Sequence, residues 1–151
     1  MANVVRNASF LSELVDGIAK HIRATVPFTP YHWDDSGAAY PSGVLGIYRD
    51  KTPEIVYPTV TIAVYESVQG ADSLVSVQFK VCSKDPHEGD AIDADLRACF
   101  DHLYAKTLGT VKVAYAERTS GTLLPQDTQG RGVRTENYQF RVDWPNLNRP
   151  I

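Results

Sequence analysis

A chain of 151 residues suits one domain with a sizeable apolar core, and it needs neither metal nor disulfide to fold. Hydrophobic residues make up 43% and charged residues 22%, an ordinary balance for a soluble globular protein. A net charge of -3, with no run of Lys or Arg, argues against a dedicated nucleic-acid binder.

The opening stretch MANVVRNASFLSELV has no apolar run long enough for a signal peptide or a membrane span. Cys82 and Cys99 match no zinc or redox spacing, which points to a reducing compartment. The expectation is a protein made and used in a cytoplasm, without an anchor of its own.

The first element is a helix, because Phe10, Leu14, Ile18 and Ile22 recur every four residues beside Leu11, Val15 and Ala19. Asn7 or Ser9 caps its start, Glu13 complements the helix N-terminus, and Pro27 and Pro30 stop it. Residues 28–57 then read as an irregular, aromatic-rich loop, with Gly43–Arg49 as a short strand or hairpin arm. Period-two alternation follows. Val60, Ile62 and Val64 oppose Thr59, Thr61 and Ala63; after a QGAD turn, Val75, Val77, Phe79 and Val81 oppose Ser76, Gln78, Lys80 and Cys82.

A second helix opens with Asp85 as N-cap, Pro86 at the first position and Glu88 three residues after the cap. Its apolar stripe is Ile92, Leu96, Cys99, Phe100 and Leu103, and Gly109 closes the segment. Val111, Val113 and Tyr115 alternate in a third strand, Tyr138, Phe140 and Val142 in a fourth. Between them lies a polar loop over 120–132, and an extended Pro-containing tail covers 144–151. This order defines an α+β fold: a single domain over residues 1–151, with a mostly antiparallel sheet and two main helices packed on one face.

Three constellations bear on chemistry. The segment DPHEGDAIDAD carries His87, Glu88, Asp90, Asp93 and Asp95, but Asp93 and Asp95 diverge on a helix and Asp85 and Glu88 serve the cap. It reads as a solvated acidic helix start. Asp95, Cys99 and His102 share a helical face, where Cys and His could act as nucleophile pair or zinc ligands. Cys99 also lies in the apolar stripe, which favours a buried structural cysteine. His21 and His32 have no partner visible in the sequence. No phosphate-binding glycine motif and no G-x-S-x-G elbow is present, so no cofactor is expected. Arg131, Arg134 and Arg141, with Glu136 and Tyr138, serve equally as interface residues or as solubilising groups on an edge strand.

The block TSGTLLPQDTQGRGVRTENYQFRV, followed by WPNLNRP, resembles the tail terminator proteins of long, non-contractile-tailed bacteriophages. The matching residues are Asp127, Gly130, Arg131, Asn137, Tyr138, Pro145, Arg149 and Pro150. In element order the likeness spans nearly the whole chain; in detail it covers residues 119–150. It implies a virion structural protein that acts by binding, without catalysis. Six copies would form a ring on the head-proximal end of the tail tube, stop tube growth and join the neck, letting genomic DNA pass without specific binding. The implied partners are further copies of itself, the major tail tube protein and head–tail connector proteins, with no membrane. Assembly would take place in the host bacterial cytoplasm. Asp127, Gly130, Arg131, Arg134, Asn137, Tyr138 and Arg149 would contact a neighbouring subunit or the tube, the arginines pairing with carboxylates near 85–95. The competing readings are a head-closure or connector protein, and a small metal-dependent hydrolase using His87, Glu88, Cys99 and His102.

Overall fold

The computed structural model describes residues 7–25, 31–33, 45–50, 58–68, 73–125 and 132–143. Helix α1 spans Asn7–Thr25 and buries Phe10, Leu14, Val15, Ile18, Ala19 and Ile22, the stripe set by the four-residue spacing. Ser9 lies inside the helix, so it is not the cap; the residue before Asn7, like Pro27 and Pro30, lies outside the described residues. Glu13 stands beyond the first turn and accepts a hydrogen bond from the Thr110 hydroxyl instead of complementing the helix terminus.

The sheet has seven strands among the described residues, in the order β1-β2-β3-β4-β7-β6-β5. β1 (Tyr31–Trp33) and β2 (Leu45–Arg49) pair parallel to each other, and β2 pairs parallel to β3 (Thr59–Val68). Of the two readings of Gly43–Arg49, the short strand holds as β2 and the hairpin arm does not, since β2 pairs parallel on both sides; β1 is a further strand within the segment expected as an irregular loop. A three-residue strand is too short to show alternation, and β2 is buried on both faces from Leu45 to Tyr48, which removes the polar half of the pattern. The QGAD turn lies outside the described residues.

β3, β4 (Ser73–Ser83), β7 (Gly132–Val142) and β6 (Val111–Leu124) form the antiparallel centre. Val60, Ile62, Val75, Val77, Phe79, Val81, Tyr138 and Phe140 point into the core, as alternation requires. Helix α2 (Pro86–Phe100) covers this face over β4, β7 and β6, with Ile92, Leu96, Cys99 and Phe100 buried. Phe100 stacks on Phe79 at 5.3 Å and meets Tyr138 and Phe140 edge-on. Asp85 Oδ1 accepts the Glu88 amide at 2.9 Å, and Glu88 reaches back to the Lys84 amide at 3.0 Å.

The second helix is shorter than expected. It ends at Phe100; Asp101 is extended, His102 turns at φ 60, and Leu103–Leu108 forms β5. Leu103 leaves the helical stripe and packs on the core from this strand. Gly109, at φ 62, belongs to the β5–β6 turn, where glycine accepts the left-handed backbone without penalty. A Cβ at Gly17 of α1 would overlap the Leu108 backbone. The helix thus seats directly on this turn. Among the described residues no helix is long and apolar enough to cross a membrane.

Candidate assembly surface

β6 runs on through the region expected as a loop. Ser120, Gly121, Thr122, Leu123 and Leu124 pair in order with Asn137, Glu136, Thr135, Arg134 and Val133 of β7. β6 and β7 thus form a long two-stranded arm, and residues 126–131 of the expected loop lie outside the described residues. Thr119 and Thr122 are β-branched and favour a strand, a signal the surrounding Pro, Asp and Gly obscure.

Of the expected interface residues, the structure describes three. Asp127, Gly130, Arg131 and Arg149, with Pro145 and Pro150, lie outside the described residues. Arg134 points to the helix side of β7 and is largely covered. Its Nη2 donates to Asp90 of its own α2 at 2.6 Å, and Nη1 lies 3.8 Å from Asp93. A pairing anticipated between subunits is made within the chain for this arginine. Gly89 permits it: a Cβ there would stand 3.2 Å from Nη2.

Tyr138 is fully buried among Phe79 and Phe100, so it supports the arm from the core and offers nothing to a neighbour. Burial raises its phenol above the ordinary value, helped by Asp93 and Glu136. Asn137 faces the opposite side of the sheet. It donates to Ser120 at 2.9 Å and accepts from Gln78 at 3.2 Å, a polar rung across β4, β7 and β6.

Beneath α2 lies an ion-pair cluster that sequence spacing does not announce. Arg118 Nε donates to the buried Glu136 carboxylate at 2.5 Å, and Asp93 pairs with Arg97 at 3.2 Å. The Arg118 guanidinium crosses over Gly121, where a side chain would collide with it. Glu136 is raised above its usual value by burial, with Arg118 opposing and Asp93 adding to the rise. The pairing joins residues 18 apart, set by hairpin register and by a bulge between Arg118 and Ser120.

The arm ends in exposed apolar groups. Leu123 is 73% exposed and Leu124 41%, on opposite faces of β6. With Pro86, Asp90 and Val133 they border a groove of about 330 Å³ between the start of α2 and the arm.

The catalytic alternative does not assemble. Cys99 is buried, and burial followed by the nearby Asp95 pushes its thiol up to about 12, far from a thiolate at neutral pH. His102 has left the helix and places Nδ1 3.0 Å from the Tyr115 hydroxyl. Glu88 is engaged at the helix start. Among the described residues no three His, Cys, Asp or Glu side chains gather in a way that could hold a metal. His21, without a partner in the sequence, meets the Cys99 carbonyl through Nε2 at 3.2 Å and packs on Phe100.

No family model and no curated protein matches the chain. A chain of a solved structure titled "Virion of native gene transfer agent (GTA) particle" is similar, with a TM-score of 0.48 at 10% identity, over 64% of this chain and 77% of that one. At that level the similarity carries no argument about function.

Proposed function

We propose that this chain is a virion structural protein of the tail terminator type. Copies of it form a ring, on the sixfold plan its sequence resemblance implies, that caps the head-proximal end of a phage tail tube. The ring ends tube polymerisation and offers the attachment surface for neck proteins, and genomic DNA passes through its lumen without specific binding. The work is done by binding, without a catalytic step.

One observation carries this reading: the block that bears the family resemblance forms a two-stranded arm ending in Leu123 and Leu124, both exposed. Burying them against a protein partner would remove apolar surface from water: most of a leucine side chain at Leu123, worth about 1–2 kcal/mol, and less at Leu124, which is already more than half covered. Such an arm is contact material for a neighbouring subunit or the tube end.

Deletion of the gene from its phage, followed by negative-stain microscopy of the lysate, tests the reading. Overlong, headless tail tubes are expected. Tails of normal length that fail to join heads would replace it with a connector role, and intact infectious virions would overturn it.

A further inference from the structure

Two stretches of strand are exposed on consecutive residues, and therefore on both faces: Tyr65–Val68 at the end of β3 and Thr119–Leu124 at the end of β6. Each also has one open lateral edge among the described residues. β2 pairs with β3 only as far as Ile62, and β5 pairs with β6 only as far as Ala116. The Arg118 amide is taken by Asp101 Oδ1 at 3.0 Å, so the open edge of β6 begins at Thr119.

Natural proteins guard such edges with charge, proline or a very short strand. Residues 119–124 read TSGTLL, with neither charge nor proline, and beyond the bulge at Thr119 the stretch Ser120–Leu124 pairs regularly with β7. The end of β3 reads YESV, with a single carboxylate, and its Tyr65 and Val68 are 55% and 49% exposed. Both edges keep main-chain donors and acceptors flanked by apolar side chains, as strand addition requires.

The two edges also match in place and direction. They lie on opposite sides of the four-strand centre, in the order β3-β4-β7-β6. Three antiparallel ladders separate them, so β3 runs antiparallel to β6. A second copy set alongside in the same orientation therefore presents its β3 antiparallel to the first copy's β6. Gly121, at the middle of one edge, stands level with Ile62 through Glu136 and Phe79, whereas the middle of the other edge is near Glu66. The offset is about four residues, or about 13 Å of strand. This stagger lets β2 of one copy and β5 of the other occupy the strand halves already paired, and it tilts the strands as closure of a sheet demands.

We propose that chains join head to tail by strand addition, the open edge of β6 in one copy pairing antiparallel with the open edge of β3 in the next. The pairing deepens the ring reading above and rests on it. A contact between unlike edges is heterologous, and such contacts close into rings when the rotation per copy is right. A symmetric β6–β6 pair would use one edge twice and leave the β3 edge open.

The test uses the full chain. Cys82 and Cys99 are buried and stay silent under mild oxidation. The double variants S67C/S120C and S67C/T122C are oxidised at assembly concentration and run without reductant, beside each single variant and native mass spectrometry of the wild type. A ladder of crosslinked species up to the ring size, from at least one double variant and from no single variant, is expected. The edge-guarding variant T122K/L123K should melt as the wild type does, while raising the concentration needed for rings by at least about tenfold. Rings that give no ladder and tolerate T122K/L123K would overturn the strand pairing and leave the ring reading standing. Crosslinked dimers from S120C alone would overturn it in favour of the symmetric pair. A protein that stays monomeric both free and mixed with tail tubes would overturn the ring itself.

Discussion

Glu136 and His21 are two core-facing groups whose surroundings move their ionisation in opposite senses. Burial raises Glu136 above its ordinary 4.5, so the folded chain holds that proton more tightly than the unfolded one. Its stabilising share is complete below about pH 4.5 and is lost as pH rises through the raised folded value. Removing Arg118 would widen that window, because the carboxylate would lose its guanidinium. R118M should cost about 3 kcal/mol at pH 7, as breaking a buried pair does, and less near pH 5. Urea denaturation at both pH values measures this; equal losses would mean that pairing is not what holds Glu136. His21 behaves the other way. Burial lowers it below 6.5, so the unfolded chain binds more protons, and stability falls as pH drops from 6.5 through the lowered folded value. H21Q keeps a donor for the Cys99 carbonyl and removes the titration. Its melting temperature should therefore fall less than that of the wild type between pH 7 and pH 5, and parallel curves would refute the assignment.

Arg134 changes meaning once its helix is in view. The sequence offers an arginine on an edge-like strand and an acidic helix start, and nothing in spacing says whether they meet within one chain or between two. Register decides it: Gly132 pairs with Ser83, just before α2, so Arg134 comes to rest under Gly89, Asp90 and Asp93. Asp90 is largely exposed and screened by water, which limits its share, whereas Asp93 is nearly covered. R134M should therefore loosen α2 from β7 and lower folding stability by about 1–2 kcal/mol. An unchanged urea midpoint would return Arg134 to the interface. The same contrast between local and long-range signals explains what else was legible. Helix α1, the cap of α2 and the alternation of β3 and β4 rest on neighbours within a few residues, and the chain states them openly. The strand at 103–108 does not, because Leu103 continues the spacing of α2 by coincidence, while the break is made by the extended Asp101 and the left-handed His102. β1 has three residues and β2 is buried on both faces, so neither displays the alternation that marks a strand. The Arg118–Glu136 pair is a product of hairpin register, which no periodicity reveals.

At the scale of the molecule, the charged groups near the proposed contact are mostly spent inside the fold. Arg118 holds Glu136, Arg134 holds Asp90, and Arg97 holds Asp93. What remains on the open strand ends is main chain, small hydroxyl side chains and the exposed Tyr65, Val68, Leu123 and Leu124, with Glu66 as the one formal charge among residues 65–68 and 119–124. This distinguishes two ways of building a ring. An interface of arginine–carboxylate pairs between subunits would weaken steeply with salt, since the screening length shrinks to about 3 Å at 1 M. Strand pairing with buried leucines depends on hydrogen bonds and apolar area, neither of which small ions screen. The concentration for half-assembly, followed by light scattering or native mass spectrometry, should accordingly change by less than about threefold between roughly 0.05 M and 0.5 M sodium chloride. L123S should raise it far more, while leaving the melting temperature of the monomer within about two degrees, because that side chain is mostly exposed before assembly. A strong salt dependence with little effect of the leucine change would assign the contact to ion pairs and remove the apolar arm from it.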